Sequence, residues 1–534
     1  MPQVVPIPDS ARDPKTPAEV LVTMTPRAPI FDPTVGVAVL GQRAAGLPAL
    51  PAAPAHRLVT VGDSLTHGFQ SGAIFNTDLS WPAIVAWEMG IDRFRYPSYN
   101  GYGGLPFNIE LVIRDLEDNF GDKLDWYELA AALFRLRHIM DEIEDWWERG
   151  GGSSTPNVRG IMHNLGIYGW DLRDALSRTA DKCRADIKTP KDDLVYQIVE
   201  NANERAALRV LGSAVGGANK ALSPLQAAKE LGADGGIETL VVFLGANNAL
   251  GSVTQLKVVW SGPGYDDLDQ KNKFTVWNPA HFEAELNLVV RAVEQVPARH
   301  VVWGTVPHVT IAPVARGVAR KVREGSRYFP YYTRPWISDA DFDAKDDPNI
   351  TEPEARAIDS AIDQYNTAIT EAVKRGRQKG LNWYILDLAG LLDRLAARRY
   401  IADPAARPDW WTPYELPAEL QSLKPLPDSR FFASGPEGRT QGGLFSLDGV
   451  HPTTIAYGIM AQEVINVMQV AGVPFYLGDG STLRTGPIRV DFKRLIQRDT
   501  LIADPPRSVS SDLKLIGWID EKVDFFGRLL RLGV

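Results

Sequence analysis

The chain has few of the residues that build metal cages, disulfides or membrane spans. Cys183 is the only cysteine among 534 residues, so neither an intrachain disulfide nor a cysteine-based metal site is available. No stretch approaches the ~18 to 20 uninterrupted apolar residues that a membrane-spanning helix needs. The eight histidines include no His-Glu-x-x-His pattern. We therefore expect no metal, no organic cofactor and no integral membrane contact.

Excess basic charge is also missing. The net charge of −9 argues against nucleic acid as a partner, because phosphate binding depends on Lys and Arg. The amino-terminal segment is rich in proline and lacks a basic region followed by an apolar one, so we predict no secretion signal and a cytoplasmic location. With 44% hydrophobic and 23% charged residues, the chain has the composition of an ordinary globular protein.

Five short, mostly apolar runs are typical of buried parallel strands. They are RLVTV (57–61), NVRGIMHN (157–164), TLVVFLG (239–245), HVVWGTV (300–306) and NWYILDL (382–388). Helical patterns lie between them, including residues 124–150, 280–296 and 355–376. This alternation predicts an α/β fold with a doubly wound, five-stranded parallel sheet in three layers.

The spacing of the runs predicts three parts. Residues 1–55 are rich in Pro and Ala and form an arm that either lies on the body or is partly disordered. Residues 56–478 form the main domain, with cap-like insertions at about 71–155, 307–354 and 389–446, which are too long for ordinary connections. Residues 479–534 form an extension ending in an amphipathic helix.

Four polar blocks follow the strands or precede the last helix. Ser64 follows the first strand, Gly169 follows the second and Asn247 follows the third. Asp448 and His451 lie three residues apart, just before the last helix. Thr453 or Thr454 is expected to cap that helix. Each block alone is compatible with an ordinary turn or cap. Together they meet at the carboxyl edge of the sheet, where open α/β sheets bind ligands. An Asp-x-x-His turn also lets the carboxylate reach one imidazole nitrogen and leave the other free.

In this order, VGDSL, NLGIYG, GANN and DGVHP resemble the successive blocks of the SGNH or GDSL hydrolase superfamily. The resemblance implies a flavodoxin-like sheet of order 2-1-3-4-5 with Ser64 as nucleophile. It also implies an oxyanion hole made by the backbone N–H groups of Ser64 and Gly169 and the Asn247 amide. His451 would be the base and Asp448 its orienting carboxylate.

The chain departs from that family at two points. Asn248 stands where the family commonly has Asp, and about a hundred residues separate Ser64 from the second block. His67 is expected to line the cleft or lie on the surface, and His163 to be a hydrogen-bonded core residue.

The leading functional expectation is a serine ester hydrolase that acts on an acyl lipid or an acetylated glycan through an acyl-enzyme. The same acyl-enzyme would serve an acyltransferase, which passes the acyl group to an alcohol other than water. A non-catalytic binding scaffold is the third possibility.

Overall fold

A computed structural model describes residues 11–41, 43–51, 53–122, 127–156, 159–190, 199–212, 221–510 and residue 517. Its centre is a five-stranded, all-parallel sheet with the strand order β2-β1-β3-β4-β5. The strands are β1 (His56–Gly62), β2 (Asn164–Gly166), β3 (Ile237–Phe243), β4 (Ala298–Gly304) and β5 (Trp383–Leu386). This is the expected α/β fold, with the predicted order 2-1-3-4-5.

The described α-helices are α1 (Ser64–His67), α2 (Trp81–Glu88), α3 (Ile109–Phe120), α4 (Leu129–Glu148), α5 (Leu172–Ser177), α6 (Ala180–Asp186), α7 (Ala202–Leu211), α8 (Pro224–Ala233), α9 (Asn247–Thr254), α10 (Pro279–Glu294), α11 (Glu352–Gln378), α12 (Leu388–Leu395), α13 (Ala418–Gln421), α14 (Thr454–Val470), α15 (Phe492–Arg498) and α16 (Thr500–Ala503). None of the described helices is both long and apolar enough to span a membrane. Short antiparallel strands outside the sheet include Phe69–Gln70 paired with Ala73–Ile74.

Alternate side chains of each strand face two separate hydrophobic cores. On β3, Leu240 and Val242 belong to the core that also contains α8, α10 and α11. Val241 and Phe243 belong to the second core, which contains α2 and α14. Because both faces of the sheet are covered, the strands are mostly apolar rather than alternating between polar and apolar residues, which explains the apolar runs in the sequence.

The second strand lies further along the chain than residues 157–164. Only Asn164–Gly166 pairs with β1. The backbone N–H groups of His163 and Asn164 both donate to Arg95 O, at 2.8 and 3.1 Å, and Gly160 has a φ of +86°. The described part of the predicted run is therefore a bend held by the Arg95 segment, and pairing starts at its end.

The long connections have mixed roles. Within residues 71–155, α2 packs on the sheet as part of a regular layer, whereas α3 and α4 pack on each other. The described part of the arm lies on the body, where Val20 and Val22 are buried and Pro33 O accepts a hydrogen bond from Ile385 N of the edge strand β5 at 2.8 Å. The predicted terminal amphipathic helix lies outside the described residues, except for residue 517.

Candidate active site

Ser64 is the first residue of α1, directly after β1 at the carboxyl edge of the sheet. Asp63 caps this helix by accepting a hydrogen bond from Leu65 N at 3.0 Å. Burial raises the pKa of Asp63 to about 7. Gly62 is needed where the chain turns, because a Cβ there would lie 2.1 Å from Thr66 Oγ1. The glycine thus permits the tight strand-to-helix turn that places Ser64 at the sheet edge.

Asn164 fixes this turn from the neighbouring strand. Its Nδ2 donates to Thr66 O at 2.8 Å, and its Oδ1 accepts from Gly166 N at 3.0 Å. The side chain is completely buried. Asn164 opens the NLGIYG block, where the sequence predicts a strand residue with no role at the site.

Ser64, His451 and Asp448 form one hydrogen-bonded chain. His451 Nε2 lies 2.9 Å from Ser64 Oγ, and His451 Nδ1 lies 3.0 Å from Asp448 Oδ2. All three residues are at least 97% buried. If Asp448 is ionised it can only accept, so the ring proton lies on Nδ1 and the Nε2 lone pair faces the serine hydroxyl. This arrangement suits a hydroxyl whose proton is removed by imidazole.

Asp448 is held in its ionised form by several donors. Its Oδ1 accepts from the backbone N–H groups of Val450 and His451, both at 2.8 Å. Burial acts to raise the pKa of this carboxyl, but the His451 ring and these backbone donors outweigh burial and lower the pKa of Asp448. Asp448 is therefore a carboxylate at neutral pH that orients the imidazole.

A tight hairpin turn at Ser71 and Gly72 supports the carboxylate from the other side. Both residues have positive φ, 47° and 84°, as a two-residue hairpin turn requires. Gly72 N donates to Asp448 Oδ2 at 3.0 Å, and Ser71 N donates to Ser446 Oγ at 2.9 Å. Sequence reasoning assigned these residues to the start of an insertion. The available signal was the Ser-Gly pair, whose glycine readily adopts positive φ.

Gly169 and Asn247 lie together in a second, smaller cavity of about 20 Å³. Asn247 Nδ2 donates to Trp170 O at 2.9 Å, so one of its two amide hydrogens ties α9 to the loop that contains Gly169. Gly169 has a φ of +73°, the left-handed conformation that glycine adopts without strain. Among the described hydrogen bonds, none uses the backbone N–H of Ser64 or of Gly169. These two groups and the second Asn247 hydrogen are the donors that remain for a ligand.

Two histidines near the site are structural. His67 was expected in the cleft or on the surface, but it is completely buried. Tyr168 N donates to its Nδ1 at 3.2 Å, so its proton lies on Nε2, 2.7 Å from the Tyr99 hydroxyl. Burial lowers the pKa of His67 to about 3. His163 is the expected hydrogen-bonded core residue, and its Nδ1 accepts from Arg95 N at 3.1 Å.

The helix that follows His451 is capped differently from the sequence expectation. Thr453 is the N-cap residue of α14, but its hydroxyl donates to Gly443 O at 2.7 Å. The buried Asp499, from the carboxyl-terminal extension, instead accepts from Ile455 N at 2.8 Å. The extension therefore helps to anchor the helix behind the histidine.

Ser64 and His451 open onto a cleft of about 120 Å³, which we call the apolar cleft. Apart from His308 and Ser429, its remaining lining is aliphatic or aromatic and includes Leu250, Leu391, Leu395, Phe445, Ile459 and Met460. These residues come from α9, α12, α14 and the loop before α14. The cleft thus offers apolar surface next to the hydroxyl, as an acyl chain requires.

No protein-family model matches this chain. No curated protein matches it either.

Proposed function

We propose that this chain is a serine ester hydrolase that cleaves carboxylic esters with an apolar acyl group. The observation that carries the proposal is the hydrogen-bonded chain from Ser64 through His451 to Asp448, with Ser64 and His451 lining the apolar cleft. A structural Asp–His pair would not need its second ring nitrogen to face a serine hydroxyl at a sheet edge. The resemblance of the four sequence blocks to SGNH hydrolases supports the same reaction.

In the proposed reaction, Ser64 Oγ attacks the ester carbonyl while His451 Nε2 accepts the hydroxyl proton. The tetrahedral oxyanion receives hydrogen bonds from the N–H groups of Ser64 and Gly169 and from the Asn247 amide. His451 then gives its proton to the leaving alcohol, which leaves an acyl-Ser64 ester. Water, deprotonated by His451, then attacks this ester, and His451 returns the proton to Ser64 Oγ as the bond between the acyl carbon and Oγ breaks and the acid is released. Asp448 stabilises the imidazolium that forms in both halves.

The lining of the apolar cleft predicts a preference for longer acyl chains over the acetyl group. A buried CH₂ contributes about 0.8 kcal/mol, or about fourfold in kcat/KM, until the cleft is filled. A series of p-nitrophenyl esters from acetyl to palmitoyl should therefore show a steep initial rise in kcat/KM. Leu391→Trp, which narrows the cleft, should lower kcat/KM for the longer esters and leave the acetyl ester nearly unchanged. A flat series, or one with its maximum at acetyl in the unmodified protein, would contradict this preference.

Asn247 provides a specific test of the oxyanion hole. Asn247→Ala should lower kcat by about 10²- to 10³-fold with little change in KM, because its amide donor meets charge that exists only in the transition state. Asn247→Asp should be worse, because a carboxylate would repel the oxyanion. Steady-state kinetics on one p-nitrophenyl ester measure both effects.

The adjacent Asn248 is a matched control. It is completely buried, and neither atom of its side-chain amide has a hydrogen-bond partner among the described residues. Asn248→Ala should therefore change kcat much less. Equal losses at the two positions, or an Asn247→Ala loss confined to KM or to thermal stability, would mean that GANN is a structural turn.

Acyl transfer is the second candidate because the reacting groups are shielded from water. Ser64 is 3% exposed and His451 1% exposed. Exclusion of water would favour capture of the acyl-enzyme by an alcohol. Measuring ester product against free acid in the presence of acceptor alcohols separates the two reactions: transfer predicts that ester dominates, and hydrolysis predicts that acid does.

A further inference from the structure

A small cavity lined by arginines lies where two of the long insertions meet. Residues 307–354 contribute Arg327, and residues 389–446 contribute Arg398 and Arg399. The cavity has a volume of about 20 Å³, and we call it the arginine cavity. Tyr332, Thr310 and Ser429 also line it. Ser64, Asp448 and His451 are not among its lining residues.

Two of the three guanidinium groups have no carboxylate partner among the described residues. Arg399 donates to Asp359 Oδ2 at 2.8 Å. Arg327 is 95% buried and forms no ion pair with a described residue. Its guanidinium lies 5.1 Å from the centre of the Tyr328 ring, and apart from the Tyr400 hydroxyl its Nε and Nη1 have no hydrogen-bond partner among the described residues. Arg398 also forms no ion pair with a described residue, and its Nη2 donates only to Ala315 O, at 2.9 Å.

The other charges around the cavity do not balance these arginines. His308 lies between Asp363 and Asp393, at 3.1 and 3.2 Å from their carboxylates. Burial opposes its protonation, but the neighbouring carboxylates raise the pKa of His308 to about 10. Together with Asp359, the three carboxylates face four cations: His308 and the three arginines. One positive charge therefore remains uncompensated in the described residues of the cluster.

An uncompensated buried guanidinium is costly, since Arg keeps its proton at all ordinary pH values. A bound anion offsets that cost, and the planar fork of a guanidinium matches the two oxygens of a carboxylate. The small volume excludes large ligands. We propose that the arginine cavity binds a carboxylate group, with Arg327 and Arg398 as its main donors.

The carboxylate has two possible sources. Ser429 lines both the arginine cavity and the apolar cleft, so the two spaces adjoin. The group is either a free small carboxylate or the far end of an acyl chain whose ester carbonyl lies at Ser64. The second source rests on the proposed ester hydrolysis, whereas the first is independent of it.

The first experiment measures binding by the full chain without reference to activity. Sodium formate should raise Tm by about 1 to 2 °C more than sodium chloride at equal ionic strength. Arg327→Gln should abolish the formate-specific shift. Arg320→Gln, which removes an exposed charge from the same insertion, should keep it. If Arg327→Gln does not fold, Arg398→Gln serves as the second variant.

The second experiment identifies the source. It compares kcat/KM for p-nitrophenyl hexanoate and mono-p-nitrophenyl adipate, which differ by a terminal carboxylate. If the unmodified protein prefers the adipate ester and Arg327→Gln removes that preference, the bound carboxylate belongs to the substrate. If formate raises Tm but the adipate ester is not preferred, the bound carboxylate is a free small molecule. The proposal is overturned if formate acts no more strongly than chloride in the unmodified protein, or if the cavity variants respond as Arg320→Gln does. Failure of both esters to react, with formate binding intact, would reject only the ester hydrolase.

Discussion

Ser64→Ala should abolish ester turnover, with kcat reduced by about 10⁶-fold, while the protein remains folded. The expected loss follows from the position of the hydroxyl, which lies 2.9 Å from the imidazole nitrogen that would remove its proton. Alanine removes the nucleophile but keeps the backbone N–H that belongs to the proposed oxyanion hole. Labelling by a fluorophosphonate probe should disappear in the same variant. A kcat near that of the unmodified protein would make the nucleophile assignment wrong.

Two further variants sharpen this test. His451→Ala should cost about as much as Ser64→Ala, and the double variant should be no worse than either, because nucleophile and base act as a unit. Ser252→Ala is the matched control, since Ser252 is completely buried on α9 and its hydroxyl only donates to Ala249 O at 2.6 Å. It should keep kcat within a small factor. Additive losses for Ser64 and His451 would argue against their coupling.

The sheet could be predicted because its signals are local. Strands covered on both faces are mostly apolar, and helical patterns between them imply parallel pairing. The second strand was the exception, since its paired part, Asn164–Gly166, is only three residues long and follows a bend fixed by Arg95. That bend depends on a contact between residues almost seventy positions apart, which no local pattern contains.

The residues of the proposed catalytic chain could be predicted for a similar reason, whereas the residues that support them could not. Ser64, Asp448 and His451 occur in short blocks with characteristic spacing. Gly72 acts through a contact with Asp448, 376 residues away, and Asp499 acts through a contact with Ile455, 44 residues away. The arginine cavity likewise needs two insertions to meet, so the excess charge is visible only after folding.

Asp448→Asn should lower kcat by about 10⁴-fold while binding of the ester changes little. Asp448 Oδ1 accepts from Val450 N and His451 N, and Asp448 Oδ2 accepts from Gly72 N. The NH₂ group of an asparagine must therefore face a backbone N–H donor in either orientation of the amide. If the amide oxygen faces Val450 N and His451 N, its NH₂ donates to His451 Nδ1. The ring proton then moves to Nε2, which can no longer accept the proton of Ser64. If the amide is reversed, the NH₂ opposes two backbone N–H groups and the loop loses stability.

A change in fold stability alone can be distinguished from this change of tautomer. Asp499→Asn is the control, because Asp499 is also a buried carboxylate that accepts a backbone N–H, at α14, but it contacts neither Ser64 nor His451. It should lower Tm while kcat stays within a small factor of that of the unmodified protein. Asp448→Asn should instead lose kcat at temperatures well below its Tm. If Asp448→Asn kept the kcat of the unmodified protein, another carboxylate would have to orient His451. Asp63 would then be the residue to replace next, because it lies beside Ser64 and its charge interacts with His451.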